Sequence, residues 1–84
     1  MRKNKGDITY YLENNSGEYF FIKKIKCRIK NLVEGKSKTT KKTVSEFSFR
    51  RGEVDLIDFT SNGLRPSDKE ILIMMINELD EIHQ

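Results

Sequence analysis

Several residue types are scarce in this 84-residue chain, and each scarcity closes off a class of function. Cysteine occurs once, at Cys27, so no intrachain disulfide can form and a reducing cytoplasm is the expected setting. Histidine occurs once, at His83, which leaves no histidine pair for a metal and no well-placed imidazole base. No G-x-G-x-x-G or Walker pattern is there to cradle a phosphate, and "NGL" and "SGE" read as turns. The longest apolar run, "ILIMMI" at 71–76, falls far short of the ~18 residues a membrane span needs. No apolar segment of signal-peptide length follows the basic opening "MRKNKGD". Alanine is absent, while Lys, Ile and Asn together supply 26 residues, a usage that suits an AT-rich genome such as those of many low-GC bacteria, their phages and plasmids.

What remains is a single small domain, 1–84, with residues 1–6 expected to fray. Hydrophobic residues make up 36% and charged residues 35%, near the polar end of what still folds. The net charge is only +3, but residues 1–52 carry fourteen Lys/Arg against five Asp/Glu and residues 53–84 carry two against eight. Such a split, +9 against −6, points to an anionic partner for the first part, although an acidic helix could also simply complement a basic sheet.

Period-two alternation marks "DITYYLE" (7–13) as a strand, and "NNSG" (14–17) as a hairpin loop. The segment 18–33 admits two readings. As a strand, it turns Ile25, Cys27 and Ile29 inward and Lys24, Lys26, Arg28 and Lys30 outward. As a helix, it gathers Ile22, Ile25, Ile29, Leu32 and Val33 into one stripe. Its aromatic and β-branched content favours the strand, with a bend or bulge near Lys23–Lys24 to relieve its length. "EGKSKTTKKT" (34–43) has no apolar residue and reads as a loop. "VSEFSFR" (44–50) and "VDLIDF" (54–59) read as strands. Pro66 and the capping box Ser67-x-x-Glu70 open a helix over 67–82, on which Ile71, Leu72, Met75, Ile76, Leu79 and Ile82 form one apolar stripe. The fold class is therefore α+β: a twisted antiparallel sheet of about four strands with one C-terminal helix on one face.

No acid–base or nucleophile set stands out, so catalysis is not expected, and no cofactor or metal is implied. Cys27 on an inward face behaves as a small hydrophobe. Of the carboxylates Glu53, Asp55 and Asp58, the first two share a strand face that could suit a hard cation, but without further ligands at loop spacing a solvated strand edge is the better reading.

The feature with a physical argument behind it is the basic stripe. Alternate strand residues lie ~7 Å apart, so Lys24 to Lys30 spans about 20 Å, close to the phosphate spacing of an extended single strand. Lys23, Arg50, Arg51 and the lysines of 36–42 could extend this field, and Tyr11, Tyr19 and Phe21 could stack on bases. Lysines on an open sheet face are also an ordinary solubility device, and the charge segregation tips the balance toward nucleic acid. A second candidate surface is Ile73 and Met74, which fall outside the helix's core arc beside Asn77. They suit a protein contact, either a homodimer through the C-terminal helix or a host protein blocked by a phage- or mobile-element-type inhibitor. The order strand-strand-strand-strand-helix, with a basic sheet and a capped helix after "NGLRPS", resembles in architecture the PC4-type single-strand-binding coactivator domains. The resemblance implies single-stranded nucleic acid held by the sheet and a dimer made by the helix.

Overall fold

A computed structural model of the chain describes residues 1–31 and 36–82, with side chains for 1–28 and 38–81. Four antiparallel strands lie in sequence order: β1 (Arg2–Lys5), β2 (Ile8–Asn15), β3 (Glu18–Asn31) and β4 (Lys36–Arg50). A 3-10 segment, Arg51–Leu56, and a turn-rich stretch lead into the helix α1 (Pro66–Ile82). The α+β architecture expected from the sequence is thus the architecture found.

The opening residues are not frayed. Arg2–Lys5 pair with Tyr11–Ile8, and Met1 closes the edge, with its amino group donating to the Leu12 carbonyl (2.8 Å) and its carbonyl accepting from Leu12 N–H (2.9 Å). Lys3 then reaches Glu78 on α1 at 2.7 Å. The β2–β3 hairpin turns on Ser16 (φ 55°) and Gly17 (φ 88°). Two consecutive positive φ angles match the right-handed twist of the flanking strands, which is why "NSG" works here. The Asn14 side chain steadies the turn by accepting from Gly17 N–H (3.0 Å).

Segment 18–33 takes the strand reading over its described residues, and the expected irregularity is where the sequence placed it. Lys23 pairs with Ser45 but Lys24 pairs with Thr43, so the extra residue, Val44, sits on β4. Two expectations fail. Residues 36–43 continue β4 rather than forming a loop: three threonines, at 39, 40 and 43, favour extended backbone, and the ladder with β3 satisfies it without an apolar face. Residues 54–59 are not a strand. Asp58 instead organises a turn, accepting from Ser61 N–H (3.1 Å) and from the Ser61 hydroxyl (2.6 Å), bonds that hold its carboxyl below the usual range.

The core lies between α1 and one face of the sheet. Tyr10, Leu12, Tyr19, Phe21 and Phe49 from the strands meet Leu64, Leu72, Met75, Ile76 and Leu79. Stacked rings, Tyr10–Phe21 at 6.1 Å and Tyr19–Phe49 at 5.4 Å, add edge and face complementarity to the buried area. The helix begins at Pro66, so the carboxylate that reaches back to the capping amide is that of Asp68, which accepts from Arg65 N–H (2.7 Å) in place of the expected Ser67–Glu70 pair. Ile82 and His83 lie outside the described side chains.

The molecule is elongated. Its radius of gyration is 15.2 Å, against about 12 Å for a compact chain of this length. The excess comes from β3 and β4, which outrun β2: the β2–β3 pairing ends at Ile8–Ile25, with one more bond from Lys26 N–H to the Asp7 carbonyl (2.8 Å). Beyond that point the two strands continue alone as a ribbon.

Candidate nucleic-acid interface

Cross-strand register decides which cations share a face. Residues directly opposed point the same way. The covered face therefore carries Tyr10–Lys23–Ser45 and Leu12–Phe21–Phe47 across β2, β3 and β4. The open face carries Tyr11–Ile22–Glu46, Lys24–Thr43, Lys26–Lys41 and Arg28–Thr39.

Lys24, Lys26 and Arg28 thus stand together on the open face, as the alternation required. Lys41 joins them from β4, directly opposite Lys26. Lys30 keeps its place in the ladder, opposite Ser37, and its side chain lies outside the described ones. Lys26, Arg28 and Lys41 are exposed, and Lys24 is half-buried with its ammonium 5.7 Å from the Tyr11 ring centre. Asp7, Lys26, Arg28 and Thr39 line a shallow hollow of about 230 Å³. A second hollow of about 140 Å³, next to it on the open face, is lined by Tyr11, Glu13, Phe20, Ile22 and Lys24.

Other expected members are elsewhere. Arg50 lies eleven positions along β4 from Thr39, the partner of Arg28, which is about 35 Å of strand. Arg50 is exposed at that far end, and Arg51 turns to Asp80 on α1 (3.2 Å). Tyr19 and Phe21 are buried in the core, so of the three aromatics proposed for stacking only Tyr11 reaches the open face. Phe20 takes the place expected of them. Period two, carried back from Lys24, puts Phe20 and Ile22 with the lysines, a signal the sequence did contain. Lys38 and Lys42, among the lysines of 36–42 expected to extend the field, are exposed on β4 but stand on the surface opposite Lys41.

The contrast in pairing is informative. Among the described residues, four cations form ion pairs: Lys3, Lys23, Arg51 and Lys69. None of them lies on the ribbon. Lys23 is buried on the covered face and donates to Asp68 at 2.7 Å, while the Tyr10 hydroxyl donates to the other carboxylate oxygen at 2.5 Å. Burial alone would push the Asp68 carboxyl up, but the Arg65 amide, the Lys23 ammonium and the Tyr10 hydroxyl outweigh it and hold it below the usual range. Burial and the same carboxylate push the Tyr10 phenol far above its ordinary value. This network fastens the start of α1 to the sheet.

On α1, Ile73 and Met74 are 40% and 48% exposed, with Asn77 exposed beside them. Met74 and Ile71 also border a hollow of about 260 Å³ against Lys3, Asn4, Lys5 and Tyr10. Among the described residues there is no cluster of His, Cys, Asp or Glu suited to a metal. Among the described residues no helix is long and apolar enough to cross a membrane.

Comparison with known proteins gives one relationship. Over 79 residues, 94% of this chain is 38% identical to the uncharacterized protein YuaN of Escherichia coli (strain K12), covering 97% of that protein. The chain belongs to the YuaN family. No protein-family model matches it, and no solved structure matches it significantly. Membership in the YuaN family fixes the length of the relative, about that of this chain, and carries no activity with it.

Proposed function

We propose that this chain is a small, non-catalytic nucleic-acid-binding module. Its phosphate-gripping residues are Lys24, Lys26 and Arg28 on the open face, with Lys41 from the neighbouring strand. The observation that carries the reading is the Lys26–Lys41 pair. Like charges directly opposed across a ladder destabilise a sheet, and here no acid offsets them among the described ion pairs. A surface arranged at a cost to its own fold suits an anion that arrives from outside. Arg50 and Arg51 are left out of this grip because of their distance from it. If the four cations meet four phosphates, log K should fall against log salt with a slope near −3. The test is titration of a labelled oligonucleotide with Lys26→Glu/Arg28→Glu: affinity should drop tenfold or more, and unchanged affinity would sink the proposal.

A second reading rests on α1. The exposed Ile73 and Met74 beside Asn77, bordering an apolar hollow, suit contact with a host protein by an inhibitor of the kind phages and mobile elements encode, or with a second copy of this chain. Pull-down from bacterial lysate with and without nuclease separates the readings. A partner that survives nuclease and is lost on Met74→Glu favours the protein contact. Either role suits the cytoplasm, where Cys27 stays reduced.

A further inference from the structure

The basic field is not confined to one face. Past Ile25, β3 and β4 form a free two-stranded ribbon, and the register places cations on both of its surfaces. Lys26, Arg28 and Lys41 stand on the open side. Lys42, opposite Ile25, and Lys38, opposite Ile29, stand on the other. Residues 25–43 hold seven Lys/Arg and one Glu, or +6. Since the whole chain is +3, everything else sums to −3. Two thirds of the +9 carried by residues 1–52 therefore falls within residues 25–43. The ribbon is thus the densest concentration of positive charge in the chain and the part most strongly drawn to a polyanion.

From these features we infer that the ligand is duplex DNA, entered along the major groove by the β3–β4 ribbon. The inference rests on the nucleic-acid reading above and sharpens it. Two strands lie ~4.8 Å apart, and a B-form major groove about 12 Å wide and 8.5 Å deep admits such a ribbon. A ribbon within a groove has a phosphate chain on each side, which is the arrangement that cations on both surfaces meet. A single strand would contact one surface and leave Lys38 and Lys42 idle.

Aromatic placement points the same way. Binding of single strands without sequence preference relies on rings on which bases stack, yet residues 25–43 contain no Phe, Tyr or Trp. Tyr11 and Phe20 lie at the covered end of the sheet, and Tyr11 already sits under Lys24. On the ribbon the polar neighbours of the cations on β4 include Thr39, Thr40 and Thr43, whose hydroxyls and methyls suit base edges and phosphates, while Ile25 and Ile29 oppose Lys42 and Lys38. The A-form major groove is too narrow for side chains to read, so DNA is favoured over duplex RNA.

The test uses the full chain with a labelled 20-base-pair DNA duplex, each of its single strands, and an RNA duplex of the same sequence, between 50 and 200 mM salt. The duplex DNA should bind at least tenfold more tightly than either single strand or the RNA. The five ribbon cations together with Lys24, each meeting a phosphate, predict a slope of log K against log salt near −5. Lys38→Glu/Lys42→Glu should weaken binding tenfold or more, as should Lys26→Glu/Arg28→Glu, with the thermal unfolding temperature of neither variant lowered. Tighter binding to single strands, with a slope near −3 and no effect of Lys38→Glu/Lys42→Glu, would overturn the inference and leave the nucleic-acid reading standing. Equal affinity for the DNA and RNA duplexes would overturn groove entry in the same way. Absence of binding to any of these at 50 mM salt would overturn both.

Discussion

Lys23 and Lys24 are neighbours on β3 with opposite surroundings. Lys23 points into the covered face, is 5% exposed, and is held by Asp68; Lys24 points to the open face and rests over Tyr11. The same division runs down the two long strands. At the covered end, charge is buried and answered by charge from α1, so the cations there are part of the fold. On the ribbon, the cations are exposed, Lys26 directly opposes Lys41, and none of them joins a described ion pair, so the fold gains nothing from their charge. A lysine's role in this chain is set by which end of the strand it occupies and which way it points.

The comparison can be broken most severely at the covered end. Asp68→Ala leaves the Lys23 ammonium buried and uncompensated, which should cost about 3–5 kcal/mol. Urea unfolding would register it as a lowered midpoint with the slope unchanged. Lys23→Met combined with Asp68→Leu should lose less than the two single changes summed, because neither charge is then stranded. Leu72→Ala empties a fully buried site under the sheet and should cost roughly 2–4 kcal/mol by the same measurement.

The pH dependence should come from this end as well. The Asp68 carboxyl is lowered in the folded state, so its contribution is fully present above about pH 4, the value of a free aspartate. It is lost as pH falls through the depressed folded value. The Tyr10 phenol is raised, so its contribution is present below about pH 10 and lost as pH climbs above that. Denaturant midpoints taken from pH 2 to 11 should show a plateau with both flanks, and Asp68→Asn should flatten the acid flank.

The smallest effect belongs to the ribbon. Lys41→Glu should leave stability unchanged or raise it by about 0.2–1 kcal/mol, since it turns an opposed like-charge pair into an attractive one. A loss beyond 1 kcal/mol on thermal unfolding would mean that the ribbon's cations do support the fold, and the contrast between the two ends would collapse.

The parts of this structure legible in the sequence are those with an apolar period. The helix announced itself through Leu72, Met75, Ile76 and Leu79, and β2 through Tyr10 and Leu12. β3 was legible too, down to the irregularity beside Lys24, because its even and odd residues differ in kind. The parts missed have no apolar period to read. Residues 36–43 look like a loop because neither face of a bare ribbon needs an apolar side chain, and their three threonines were the remaining signal. Arg2–Lys5 form an edge strand held by backbone pairing and by Lys3 to Glu78, neither of which leaves a pattern in the residues themselves. "VDLIDF" failed in the other direction: its apolar residues suggest a strand, but Asp58 bonded to Ser61 makes a turn instead. At the candidate interface, Lys24, Lys26 and Arg28 were readable from alternation. That Lys41 faces Lys26 required the register.

Val44 sets that register. Above it, odd residues of β4 oppose odd residues of β3; below it, odd opposes even. The turn carrying Gly63 (φ 74°) packs against it, so close that a Cβ at 63 would stand 3.6 Å from the Val44 carbonyl. Anyone walking substitutions down β4 will therefore meet a change of phase. To stay on the open face the series must run 50, 48, 46 and then 43, 41, 39. A series that ignores the step will cross to the opposite surface partway and read two different interfaces as one. Deleting Val44 would remove the step and leave the pairing untouched, with Thr43 still opposite Lys24, Lys41 still opposite Lys26 and Lys42 still opposite Ile25; straightening the strand with Val44 retained is what would exchange the surfaces of Lys41 and Lys42.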